Sequence, residues 1–164
     1  MGGGHVITMG GLDHSDRKIK CIVSQLGMMI ASDLLKHVGA PKLDEIKSID
    51  ESRVKGNKEP ISQDDEDMLE GLDGYPNLAK LSKYRAIDYA QLVSVPTLIL
   101  EASEEELWDR AQHGEKVYDI LQKNGVETKY ALLKGKHYDG YSEEGSFPDG
   151  CSKAIEWFKI YLKP

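Results

Sequence analysis

The segment Val95–Leu100, VPTLIL, constrains the fold of this chain more than any other. Pro96 marks the entry, and the run behind it is apolar on both faces of an extended chain. Such a strand suits the middle of a parallel sheet that is covered on both sides, because an antiparallel sheet with one wet face would alternate. Strand and helix patterns alternate around it. KIKCIVSQLG (Lys18–Gly27) carries the β-branched Ile19, Ile22 and Val23 between turn signals and reads as a buried strand. Met28–Val38 has apolar residues at helical spacing, with Gly39 as its stop. EEELWDRAQHGEKVYDILQKNG (Glu104–Gly125) reads as one long amphipathic helix, with Leu107, Val117, Ile120 and Leu121 inward and Gly125 as its C-cap. VETKYALLKG supplies the next strand. GCSKAIEWFKIYLKP supplies the last helix, its inward stripe expected to be Ala154, Ile155, Phe158 and Leu162. Alternation of this kind predicts an α/β fold, a parallel sheet with flanking helices.

One stretch breaks the alternation. Ala40–Gly74 is polar and acidic, with a capping-box pattern at Ser62 and Asp65 opening a short helix through Leu72. Together with the partly helical Asn77–Leu92 it reads as a cap-like insertion over residues 40–92 within a single domain of residues 1–164. A solvated acidic face, with no further role, accounts for the same composition.

In open parallel sheets chemistry gathers beyond the carboxyl ends of the strands. Two polar clusters fall there: Glu104–Glu106 after the apolar strand, and His137–Tyr141 (HYDGY) after the next. Acids in the first turn of a helix favour its dipole without any further role, and a loop histidine can be an ordinary hydrogen-bonded residue. Composition narrows the partners. A net charge of −7 argues against a nucleic acid, whose phosphates need clustered Lys and Arg. No apolar run approaches the ~18–20 residues of a membrane span, and no basic-then-apolar leader opens the chain. Two cysteines, Cys21 and Cys151, make neither a disulfide framework nor a zinc knuckle, so a cytoplasmic location is expected. His5, His14, His37 and His113 lack metal-ligand spacing, and no cofactor is implied.

Three phrases, VPTLILEASEEEL (Val95–Leu107), KGKHYDGY (Lys134–Tyr141) and AIEWFKIYL (Ala154–Leu162), together resemble the C-terminal part of an α/β-hydrolase. Within that family the dienelactone-hydrolase-like and serine-peptidase-like esterases are nearest. The resemblance implies a partial α/β-hydrolase fold acting on a small-molecule ester or acyl substrate through a Ser-His-acid triad. His137 would be the base. Counting from Pro96 favours Glu105 as the acid, with Glu106 second. Tyr138 and Tyr141 would line the pocket, although packing accounts for them as well. The chemistry needs such a set because a hydroxyl is a weak nucleophile at neutral pH. A histidine must take and return its proton while a carboxylate fixes the tautomer and stabilises the cation.

The nucleophile is the missing part. No Gly-x-Ser-x-Gly elbow occurs in the sequence. The opening MGGGHV resembles the small-residue stretch that comes after the family's serine, which would make Met1, Gly2 and Gly3 the residues beside the elbow and the oxyanion site. On that alignment the chain is expected to be truncated just after the serine and, by itself, catalytically silent. Ser24, Cys21, Ser142 and Ser146 have no elbow context and read as structural residues. A phosphate-binding loop at GGGH lacks both a preceding strand and a following Lys-Ser/Thr. The alternative from another class is a non-catalytic interaction module. Half a parallel sheet leaves an unpaired edge and an apolar face, which invites a homodimer.

Overall fold

The computed structural model describes residues 2–13, 15, 16, 18–34, 55, 56 and 83–162. The chain divides into two compact units, one of Met1–Ile30 with Arg85–Pro164 and one of Ala31–Tyr84. The expected helix over Met28–Val38 is described only as α2 (Ala31–Leu34), in the second unit. In that unit the Ala31 N–H donates to the Tyr84 carbonyl at 3.0 Å. The Ser62–Asp65 capping box lies outside the described residues, as does most of the insertion expected over 40–92.

The first unit is an α/β layer structure. α1 (Gly2–Leu12) precedes β1 (Ile22–Gln25), and a 3₁₀ helix (Ala86–Leu92) leads to β2 (Thr97–Ala102). A short 3₁₀ turn (Arg110–Gln112) opens into α3 (Gly114–Lys123), then come β3 (Thr128–Leu133), a 3₁₀ turn (His137–Tyr141) and α4 (Phe147–Tyr161). The three strands form one parallel sheet in the order β1-β2-β3. β2 is buried along its whole length, as its double-faced apolar pattern requires.

Strand alternation sorts the two faces. Val23, Leu98, Leu100, Ala131 and Leu133 point to the side covered by α4, where Trp157 seals the core and Tyr161 packs beside it. Ile22, Ser24, Ile99 and Glu101 point to the side covered by α1 and α3. Glycines let α1 come close: a Cβ on Gly3 would sit 2.6 Å from the Gln25 carbonyl oxygen. Gly125, at φ +72°, ends α3 in the left-handed conformation expected of it.

Two expectations change. The helix expected from Glu104 begins only at Gly114, because Glu104–Asp109 is loop, pinned by hydrogen bonds to the loop that leaves β3. The inward face of α4 is also not Ile155, Phe158 and Leu162. These residues are 52%, 37% and 53% exposed, while Gly150 and Trp157 face the sheet. The helix carries two adjacent apolar stripes, and the larger aromatic takes the sheet. No helix among the described residues is long and apolar enough to cross a membrane.

The two stripes separate in thermal or urea unfolding. Trp157→Ala should cost about 3–5 kcal/mol, the range for emptying an aromatic core site. Ile155→Ser should stay within roughly 0.5 kcal/mol, as an exposed change does. Comparable losses from both would return Ile155 to the packed face.

Candidate functional site

Parallel pairing of β2 with β3 brings the loops that leave their carboxyl ends side by side. Hydrogen bonds then lace the two loops together. The Ser103 N–H donates to the Leu133 carbonyl (2.7 Å), and the Gly135 N–H to Ser103 Oγ (3.0 Å). The Glu104 N–H donates to the Gly135 carbonyl (2.9 Å). Gly135 stands at φ +101°, a conformation that a side chain would resist, and this turn carries His137 back toward the other loop.

The lacing ends on His137. Nδ1–H of its imidazole donates to Glu105 Oε2 at 2.8 Å, and the two side chains are only 6% and 1% exposed. The other Glu105 oxygen accepts the Leu107 N–H at 3.1 Å, so both oxygens have partners and the carboxylate cannot swing away. A carboxylate oxygen beside Nδ1 favours the tautomer with the ring proton on that nitrogen, the one that leaves the Nε2 lone pair available. Among the described residues nothing hydrogen-bonds Nε2, and that atom is not sealed from solvent. Glu106 does something different from Glu105: its Oε2 accepts the backbone N–H of His137 at 3.1 Å. Two successive glutamates thus grip one histidine, one at the ring and one at the main chain.

Three aromatic rings surround the imidazole. Trp108 meets it edge-on with centroids 4.7 Å apart, Tyr138 at 5.4 Å and Tyr141 at 5.6 Å. Both tyrosines are largely exposed. Partial burial, and then the charge of Glu105, push the Tyr141 hydroxyl above its ordinary pKa. Behind Trp108 lies His113, stacked at 5.2 Å and fully buried, with Nδ1 accepting the Met29 N–H at 3.0 Å.

The structure therefore gathers His137, Glu105, Glu106, Tyr138 and Tyr141 at one sheet rim. Gly2 and Gly3 occupy the first turn of α1, and neither hydrogen-bonds this cluster; Met1 lies outside the described residues. Ser24 Oγ is committed to the Gly3 carbonyl at 2.9 Å, buried beneath α1. Among the described residues no three His, Cys, Asp or Glu side chains converge as metal ligands.

A second buried polar group was missed in the sequence. Glu101, on the α3 face of β2, accepts the Gly114 N–H (3.1 Å) at the start of α3 and the Tyr130 hydroxyl (2.8 Å). Gly114 has no side chain because one would strike the Glu101 carboxylate. A charged residue inside the run LILEA was the available signal. Burial pushes the Glu101 carboxyl up to about 7; the Tyr130 and Gly114 hydrogen bonds and Arg110 oppose this, and Glu105 adds to it.

The chain matches no family model and no curated protein. Among solved structures it is similar to the acylaminoacyl peptidase of Pyrococcus horikoshii (orthorhombic crystal form), at a TM-score of 0.49 and 23% identity. The alignment covers 94% of this chain and 22% of that one, so the chain spans about a fifth of that protein's length.

The Glu101 shift gives stability a pH dependence of definite sign. With the folded pKa above the ordinary carboxylate value, the folded state holds the extra proton. The contribution is fully present below about pH 4.5 and is lost as pH rises toward 7. Glu101→Gln should therefore be more stable than the parent at pH 8, by up to roughly 3 kcal/mol, and the gap should close by pH 5. A gap independent of pH would remove Glu101 as its source.

Proposed function

We propose that this chain carries the acid and base of a serine-hydrolase-type centre for ester or acyl hydrolysis, with His137 as base and Glu105 as acid. One observation carries the reading. The imidazole is held at Nδ1 by a buried carboxylate with Nε2 left open, which is the arrangement a general base needs. In this reading a serine hydroxyl comes to Nε2 from the turn leading into α1, where Met1, Gly2 and Gly3 would stand beside the elbow. Nε2 takes the hydroxyl proton as the oxygen adds to the substrate carbonyl. Glu105 stabilises the imidazolium, and the same proton then passes to the leaving alkoxide as the acyl–oxygen bond breaks. Water repeats the sequence to release the acid. Glu106 holds the histidine main chain, while Tyr138 and Tyr141 form the wall nearest the substrate. The substrates are small esters or acyl compounds, as in dienelactone-hydrolase-like and serine-peptidase-like esterases, and no cofactor takes part.

A different observation favours a second reading, a non-catalytic interaction or dimerisation module: the outward stripe of Ile155, Phe158 and Leu162 on α4. Size-exclusion chromatography speaks to that alternative, since a clean monomer argues against it.

Hydrolysis of a p-nitrophenyl ester separates the two. Tested in a protein that carries the elbow serine ahead of Met1, His137→Ala and Glu105→Gln should each lower the rate above background by about 10²-fold or more. Glu106→Gln keeps an acceptor for the His137 N–H and should lose less than about tenfold, the scale of one weakened hydrogen bond. Equal rates in that serine-bearing protein and its His137→Ala variant would remove His137 from the mechanism.

A further inference from the structure

His137 sits in a 3₁₀ turn of only five residues, and a turn that short does not hold its own geometry. Its leading end is pinned. The Lys136 N–H donates to Asp139 Oδ2 at 2.8 Å, and Glu106 grips the His137 N–H. Its trailing end is pinned from a distance of 115 residues, where Gln25 Nε2–H donates to the Gly140 carbonyl at 3.0 Å.

Gln25 is the last residue of β1, on the α4 face of the sheet, where its neighbours Val23, Leu98 and Leu100 are apolar. An amide in that company is costly unless it is hydrogen-bonded, so its presence asks for a reason beyond filling space. The surroundings are cut to fit it. A Cβ on Gly150, in the first turns of α4, would lie 2.8 Å from Gln25 Oε1. Gly140 leaves room for the Leu26 side chain. Leu26 is fully buried and adopts φ +48°, the one positive φ at a non-glycine among the described residues. Strain of that kind persists only where surrounding contacts over-determine the backbone. The same strand end also meets α1, through Gly3 against the Gln25 carbonyl and the Ser24 hydroxyl on the Gly3 carbonyl.

We propose that Gln25 is a positioning residue for His137: its side-chain amide fixes the trailing end of the histidine turn and ties that turn, through the end of β1, to the first turn of α1. Its importance for turnover rests on the reading of His137 and Glu105 as a base and its acid, but its structural effect can be measured without turnover. Losing the amide donor leaves the trailing end held by the Ser142 and Ser146 N–H groups on the Asp139 carbonyl, and the turn gains freedom to pivot about Gly135. The Nδ1–H bond to Glu105 then loosens while the sheet stays intact.

The test is ¹H NMR of the His137 Nδ1 proton in the full chain, with Gln25→Met (similar length, no donor) and Gln25→Glu (same shape, acceptor only when ionised). Both variants should keep the amide signals of Ile99 and Leu100 on β2. The Nδ1–H signal should lose protection against solvent exchange by about five- to tenfold, the effect of one lost hydrogen bond. Unchanged exchange in a folded Gln25 variant overturns the proposal. If neither variant folds, Gly150→Ala, which presses on the Gln25 amide from α4, must perturb the same proton, and no change there is equally fatal. A lost Nδ1–H signal, together with no ester hydrolysis even when the elbow serine is supplied ahead of Met1, leaves the positioning role standing and removes only the hydrolase reading. His137-dependent hydrolysis with kcat and KM untouched by Gln25→Met removes the positioning role alone.

Discussion

The hydrogen bond from His137 to Glu105 depends on the parallel register of β2 and β3. Ala102 lies opposite Leu133, so both strands finish at the same level and their exit loops begin as neighbours. Every later contact builds on that. Ser103, Glu104 and Gly135 continue the ladder for three more hydrogen bonds beyond the strands, and only then do the side chains of Glu105 and Glu106 reach across. A shift of one residue would turn Glu105 to the opposite side of its loop, since neighbouring extended residues face opposite ways. The buried couple is thus a consequence of strand pairing.

This ordering explains why the loop after β2 is not a helix. Three consecutive glutamates and a following amphipathic pattern favour an early helix start by propensity and dipole alone. Helix from Glu104 would hold Glu105 in a regular turn, whereas here the loop's own N–H groups and carboxylates are spent on the β3 loop and on Leu107. The helix is postponed to Gly114, where Glu101 accepts the first free N–H from below. A buried carboxylate is costly unless its oxygens are occupied, and here the helix terminus and Tyr130 occupy both. The loop that bears Glu105 therefore ends on a second acid seated in the same strand.

The final helix shows how local patterning can support two answers. Gly150, Trp157 and Tyr161 define one apolar stripe, and Ile155, Phe158 and Leu162 define another beside it. Periodicity alone does not rank them. Shape does: the sheet face around Leu98, Leu100 and Leu133 accommodates the indole of Trp157, and Gly150 lets the helix approach over Gln25. The remaining stripe stays in solvent in this unit.

Short-range chemistry made much of the fold legible in the sequence. The double-faced apolar run of β2, the alternation of elements, the glycine stop of α3 and the placement of Glu105 and His137 beyond adjacent strands follow from residue types within a few positions of one another. Only a count from Pro96 ranked Glu105 ahead of Glu106 in the sequence, because adjacent carboxylates have the same local chemistry; the fold separates them by turning one to the ring and the other to the backbone. Nor could it reveal Gln25 beneath the histidine turn, His113 as the acceptor of the Met29 N–H, or the role of Glu101 as the seat of α3. Those contacts join residues from 13 to 115 positions apart. No local pattern encodes which distant partner a polar group will find, so only the packed tertiary structure decides it.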